Sequence, residues 1–284
     1  MIDASRLTVT LGRRRVLDGL DFRAMPGALT AIVGPNGSGK TTLMRALTGE
    51  IAAEGRLLLE GEDPRKLRPW QIARRRGVLA QFTRLAFPFT VLEVVRLGAE
   101  AGGQAGAGAT ARARAALARV DLAGYEGRHY QELSGGEQAR AQLARVLAQV
   151  WEPVGPEGPR WLFLDEPVAS LDIAHQLQVM ELARDYARAG GGVIAVMHDL
   201  TLTAMFADRV TLLQEGRVAG EGAAGEVLRP ELLEQVYGCP LDVVKLSDPA
   251  RLIVTPRTGP RAPRHALADG GEIVPEAARP ARSG

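Results

Sequence analysis

The chain has 284 residues, with 35 Lys and Arg against 33 Asp and Glu for a net charge of +2, and it is 46% apolar and 24% charged. Those are ordinary globular values, enough for one large domain or two small ones. The near balance of charge gives no electrostatic footprint for nucleic acid or anionic lipid. A single cysteine, Cys239, excludes an intrachain disulfide framework and suits a reducing compartment.

Along the chain, residues 6–12 and 17–24 alternate apolar and polar positions and predict strands. "ALTAIVG", Ala28 to Gly34, is a continuous apolar run ending in glycine, the pattern of a buried strand. The stretch "TTLMRALTGE" that follows predicts a helix, "EGRLLLEGED" another strand, "PWQIARRRG" a short helix and "GVLAQ" a strand. Residues 84–160 are rich in Ala and Arg and predict an inserted helical region. It is interrupted at Ala99–Thr110, "AEAGGQAGAGAT", which reads as a flexible loop. Strand and helix then alternate: strand 161–164, helix 172–189, strand 193–197, helix 199–206, strand 209–214 and a late helix in "PELLEQVYG". That order predicts an α/β fold with a mainly parallel sheet core. Beyond Val254 the sequence is dominated by Pro, Gly, Ala and Arg, with five arginines against three acids, and reads as a disordered tail. The expected division is a domain over 1–255, its helical part at about 84–160, and a tail over 256–284. The N-terminal "MIDASRLTVT" lacks the apolar run of a signal peptide. No window reaches the ~18 apolar residues of a membrane span, so a cytoplasmic place is expected, with other chains doing any spanning.

"GPNGSGKT", Gly34 to Thr41, matches G-x-x-x-x-G-K-[ST] and lies between a strand and a helix. In that context the backbone amides of Gly34, Pro35's successor Asn36, Gly37, Ser38 and Gly39, with the helix N-terminus, attract phosphate. Lys40 is placed to reach β- and γ-phosphates and the Thr41 hydroxyl to hold Mg²⁺. "WLFLDEP" ends an apolar strand at Asp165, a carboxylate at the sheet edge where α/β proteins bind ligands. Asp165 is a Mg²⁺ anchor and Glu166 a residue to orient or deprotonate water, although an acidic pair after a strand also serves as a helix N-cap. His198 closes the apolar strand of "GGVIAVMHDL", where it either contacts a γ-phosphate or is structural. Gln81 holds the same kind of position after "GVLAQ" and by itself says little. In "LSGGEQARAQLARVL", Ser134 and Glu137 form a capping box. Gly135 and Gly136 occupy the first turn of that helix, at roughly 1 kcal/mol each relative to alanine. Either they are harmless, or something must come close to the bare amides.

Together the phosphate loop, Gln81, "LSGGE", "LFLDEP", "SLD" at Ser170–Asp172 and His198 resemble the ATP-binding subunit of ABC transporters in order and spacing. The resemblance covers about residues 6–245, and "LSGG" is its most specific part. It implies a P-loop ATPase fold with an N-terminal antiparallel β part and an inserted α-helical subdomain. Gly34–Thr42, Thr42 included, would surround ATP, with Mg²⁺ near Thr41, Gln81 and Asp165. Glu166 would be the general base, His198 the γ-phosphate sensor and Gln81 the link to the helical region. In that family two subunits meet head to tail, so Ser134, Gly135 and Gly136 would close on nucleotide held by the partner of a homodimer, and Asp172 would lie between the two sites. Two features depart from the family: Leu11 stands where an aromatic residue usually stacks on adenine, leaving weaker base selectivity or arginine stacking, and "DEPVASLD" replaces the commoner DEPTSALD.

"ALTGE", "ARRRGVLAQ", "LAFPFTVLEVVRLG", "QLARVLAQ" and "PELLEQVYG" are similar to the bacterial importer branch for iron–siderophores, cobalamin and haem, and within it most to haem (hemin) importers. The implied protein is a homodimeric Mg-ATPase at the cytoplasmic face of the inner membrane. It would work with two transmembrane permease subunits and, through them, a periplasmic substrate-binding protein, and not with nucleic acid. Ferric siderophore or cobalamin are the alternative cargoes. A soluble ABC ATPase acting on nucleic acid would carry coiled coils or two cassettes, and neither is in the sequence. A small-molecule kinase would leave "LSGGE" without a role.

Overall fold

The computed structural model describes residues 1–81, 87–246 and 252–257. Its centre is a six-stranded sheet in the order β11–β10–β3–β9–β8–β5, built from β3 (Leu29–Val33), β5 (Arg76–Leu79), β8 (Trp161–Asp165), β9 (Gly192–Val196), β10 (Arg209–Gln214) and β11 (Arg217–Gly222). Every pair is parallel except β10–β11, a hairpin that the alternation did not reveal. All residues of β3, β8 and β9 are buried, which explains their unbroken apolar runs. A separate antiparallel sheet, β2–β1–β4, joins β1 (Ile2–Leu11), β2 (Arg14–Ala24) and β4 (Glu54–Leu59). Its inward residues Ile2, Leu7, Leu17 and Phe22 pack with Leu43 and Met44 of α1 (Lys40–Leu47) and with Trp161 and Phe163. The mixed fold is therefore the expected one: a mainly parallel core, an antiparallel β part and a helical insertion.

After the short α2 (Pro69–Arg75) and β5, the insertion runs through α3 (Val91–Ala101), α4 (Gly106–Arg119) and α5 (Gly135–Gln149). Residues 84–86 of the expected helical region lie outside the described residues. The flexible loop expected at Ala99–Thr110 is not there. α3 continues to Ala101 and α4 starts at Gly106, leaving only residues 102–105 as connection. The glycines serve contact rather than mobility. A Cβ on Gly98 would stand 1.9 Å from the Arg145 carbonyl oxygen, and one on Gly102 2.1 Å from that of Gln149. Spaced four apart, the two lie on one face of α3, so its backbone rests directly on α5.

A small hairpin, β6 (Val154–Gly155) with β7 (Gly158–Pro159), returns the chain to the sheet. α6 (Ile173–Arg188) and α7 (Leu200–Phe206) then alternate with the remaining core strands. The last part holds α8 (Ala224–Val227), α9 (Pro230–Tyr237) and the antiparallel pair β12 (Leu241–Lys245) and β13 (Leu252–Pro256). Order thus extends past Val254, where the composition predicts disorder. Leu252 is buried in the main core, and Arg257 pairs with Asp242 and Glu234. Residues 258–284 of the expected tail lie outside the described residues. No helix among the described residues is long and apolar enough to cross a membrane.

Candidate nucleotide site

The phosphate loop joins the end of β3 to α1. Gly34 and Gly39 are fixed there by close approach: a Cβ on Gly34 would be 2.3 Å from the Leu213 carbonyl oxygen, and one on Gly39 2.8 Å from Leu17 Cδ2. Both also sit at positive φ, 148° and 105°, where a side chain is strained. Lys40 is 6% exposed and folds its ammonium back onto its own loop, donating to Gly34 O at 2.8 Å and Pro35 O at 3.0 Å. Burial lowers its pKa, opposed by the charges of Glu166 and Asp165. Ser38 is buried and its Oγ has no partner, whereas Asn36 and Gly37 are exposed and Thr41 and Thr42 are half-buried in the first turn of α1.

Asp165 ends β8 beside this loop. It is 5% exposed, and its Oδ1 is buried without a hydrogen bond. Burial and then the neighbouring Glu166 charge push its pKa up to about 6, against a side-chain hydrogen bond with Thr41 and the Lys40 charge, which pull it down. A buried carboxylate with a free oxygen next to a hydroxyl and near a lysine is a donor set that suits a hard divalent cation bridging to phosphate. Thr41 and Asp165 are the residues able to hold one.

Glu166 is the focus of the next contacts. Its φ is 52°, a left-handed conformation that a non-glycine residue rarely adopts. One carboxylate oxygen accepts from Gln81 Nε2 at 2.8 Å, and the other lies 2.6 Å from His198 Nε2. Gln81 follows β5, Glu166 follows β8 and His198 follows β9, so three neighbouring strands place their next polar residues at one edge. A carboxylate oriented on both oxygens at this point can accept a proton from water.

The glycine pair stands apart from these contacts. Ser134 is the N-cap of α5, with its side chain and that of Glu137 satisfying each other's backbone amides at 3.3 and 2.7 Å. Ser134 and Gly135 are exposed, and a Cβ on Gly135 would meet nothing within 4 Å among the described residues beyond its own helix. Gly136 lies close to the Ser170 carbonyl, at 3.2 Å from the same probe atom. Asp172 caps α6 through the His175 amide at 3.0 Å and takes His175 Nδ1 on the same carboxylate at 2.8–2.9 Å, which holds its pKa below the usual range. Leu11, at the tip of the β1–β2 hairpin, is 46% exposed.

Between the two groups lies a cleft of about 460 Å³ lined by Gln81, Tyr130, Gln142, Asp165, Glu166 and Ser170, among others. Tyr130 and Gln142 escaped the sequence reading. The available signal was a run of polar residues, Gln138, Gln142, Arg145 and Gln149, at helical spacing on a face of α5 that should be apolar. Arg145 and Gln149 use that face to hydrogen-bond backbone carbonyls of Val78, Ala73 and Arg76, tying α5 to the edge strand and to α2 before it.

Residues 17–169 match the profile of the ABC transporter family. The chain belongs to the ABC transporter family. A hemin import ATP-binding protein of Jannaschia sp. (strain CCS1) is 61% identical over 243 residues, covering 86% of this chain and 89% of that one. The protein of the same designation from Ruegeria sp. (strain TM1040) is 54% identical over 257 residues, covering 90% and 98%. Among solved structures, the ATP binding subunit of an ABC transporter matches with a TM-score of 0.71 at 21% identity, over 84% of this chain and 93% of that one. A dimeric post-hydrolysis ATP-binding cassette holding ADP and phosphate matches with a TM-score of 0.68 at 24% identity, over 79% and 99%. These two share the fold. The chain is accordingly an ABC transporter ATPase.

Proposed function

We propose that this chain hydrolyses ATP to drive hemin import across the bacterial inner membrane, as a homodimer seated against two permease subunits that do the spanning. A periplasmic substrate-binding protein delivers the cargo to the complex. The cargo rests on the identity of 61% over 86% of the chain with a hemin import ATP-binding protein. The chemistry rests on one observation above the others, the convergence of Gln81 and His198 on the two oxygens of Glu166 beside the phosphate loop.

In this reading Lys40 turns from Gly34 and Pro35 to the β- and γ-phosphates, and the loop amides of Gly34–Thr42 bind the remaining oxygens. Glu166 accepts the proton of the attacking water. Gln81 and His198 aim its carboxylate, and both stand where a γ-phosphate would arrive. Thr41 and Asp165, with Gln81 near by, would hold Mg²⁺, which would neutralise charge on the phosphates. The N-terminus of α5, where the Ser134 amide is held by Glu137, supplies an anion site to the partner's nucleotide through Gly135 and Gly136, which accounts for glycines in a helix first turn. Asp172, also exposed, lies on the same side as the signature turn and belongs to the junction of the two sites.

The test is reconstitution with the membrane subunits encoded beside it. ATPase rate is then measured with a binding protein carrying haem, ferric siderophore or cobalamin. Stimulation by haem alone is expected. Stimulation by one of the others would keep the ATPase and replace the cargo.

A further inference from the structure

β5 is the outer strand of the main sheet, and an edge strand presents a row of unpaired backbone groups. α5 covers that edge. A Cβ on Gly77 would stand 2.7 Å from Val146 Cγ1 and 3.2 Å from the Val146 carbonyl oxygen, so helix and strand touch directly there. From this contact a ladder of side chains climbs the edge. Gln149 Nε2 donates to the Arg76 carbonyl at 2.9 Å, and Arg145, one turn earlier, donates to the Val78 carbonyl at 3.2 Å. Carbonyls two residues apart point the same way along a strand, which makes Ala80 the next rung. The donor one turn further up α5 is Gln142.

That rung is open. Gln142 is 4% exposed, and its Nε2 is buried with no hydrogen-bond partner, a costly state for a donor. The orientation of the amide is fixed, because Arg145 Nε donates to its oxygen at 2.7 Å and only the oxygen can accept. The amine end is therefore turned away from Arg145. The Tyr130 hydroxyl lies on that side without closing a full hydrogen bond to it. No described residue donates to the Ala80 carbonyl. Gln142, Ala80, Gln81 and Glu166 all line the 460 Å³ cleft. Gln81 stands two residues past the end of β5, and its Nε2 donates to Glu166 at 2.8 Å. The helix is thus fastened to the strand below the cleft and stands off from it beside Gln81.

We propose that Gln142 is a positioning residue for Gln81. With nucleotide bound the cleft narrows and Gln142 Nε2 donates to the Ala80 carbonyl. The edge is then pinned one residue before Gln81, which holds Gln81 on Glu166. This deepens the hydrolysis reading above and rests on it.

Gln142→Glu keeps the length of the side chain and the acceptor for Arg145, and removes the donor. In the chain reconstituted with its membrane subunits, kcat for ATP hydrolysis should fall about threefold to tenfold, the range of one hydrogen bond, with KM for ATP within about twofold. In the Gln81→Ala background, whose own rate is lower, the same substitution should change kcat by less than about twofold, because the residue it acts through is gone. Gln142→Met, uncharged and of similar length, repeats the cycle should the buried carboxylate disturb folding. Equal losses with and without Gln81 would make Gln142 a packing residue and overturn the proposal, as would an unchanged kcat in the single variants. Tyr130→Phe should leave kcat unchanged. A loss there equal to that of the Gln142 variants would assign the amine to the Tyr130 hydroxyl and overturn the proposal too. The wild type judges the hydrolysis reading separately: no ATP turnover there would sink that reading, and the role of Gln142 with it.

Discussion

The sheet edge and the tip of α5 both carry candidate site residues, yet their polar groups are buried and paired to different degrees. At the edge, Lys40, Asp165 and Glu166 are largely buried, and Lys40 and Glu166 hold partners even without ligand. At the tip, Ser134 and Gly135 are exposed, and a Cβ added to Gly135 would meet nothing within 4 Å among the described residues beyond its own helix. In the proposed reading the first arrangement is a preorganised catalytic site, in which dipoles are fixed before charge develops. In the same reading the second is half of a site, which another molecule completes.

The contrast can be broken at either end. Glu166→Gln keeps the shape and the hydrogen-bonding capacity of the side chain but cannot take a proton. Turnover should fall by about 10²–10⁴, the usual worth of a general base, while ATP is still bound and an ATP-loaded dimer accumulates on size exclusion. Continued hydrolysis would remove Glu166 from that role. Lys40→Ala should weaken nucleotide binding by about 100-fold, as expected for a charge-assisted contact, measured by equilibrium titration. Ser134→Arg should leave ATP affinity per subunit within about twofold and lower hydrolysis at least about tenfold. Normal hydrolysis in that variant would mean the tip of α5 is not shared between chains.

The smallest effect sharpens the account of Asp165. Its pKa of about 6 lies above the ordinary 3.8, so the folded, nucleotide-free chain binds this proton more tightly than the unfolded one. Its contribution to stability is therefore greatest below about pH 4 and is lost as pH rises through 6. Cation binding has the opposite sign, because it needs the carboxylate. Mg-ATP affinity should fall about tenfold per pH unit below 6, measured by calorimetry against Asp165→Asn to cancel protonation of the nucleotide. In that variant only the slope due to the nucleotide's own protonation should remain, and Tm of the nucleotide-free chain at pH 7 should rise.

The core strands and the phosphate loop were legible because burial on both faces leaves unbroken apolar runs, and because a glycine loop before a lysine at a helix start has few other uses. Gln81 and His198 were not legible in the same way. They stand 85 and 32 residues from Glu166, and only the resemblance brought them together. Ala99–Thr110 was misread because composition does not separate a glycine that frees the chain from one that lets two backbones touch. The spacing of Gly98 and Gly102 did carry that distinction. The C-terminal hairpin and β11 are short and partly exposed, so neither period was strong enough to find them.

The bare contact of α3 on α5 has a mechanical side. With no side chain between Gly98 and the Arg145 carbonyl, or between Gly102 and that of Gln149, there is nothing to compress or re-rotamerise when either helix is pushed. The start of α3 is tied as well, its Val91 amide donating to the Arg128 carbonyl at 2.9 Å in the segment that leads into α5. Between Phe87, which is 68% exposed, and the turn at Ser134, the insertion is thus tied by backbone contacts more than by side chains.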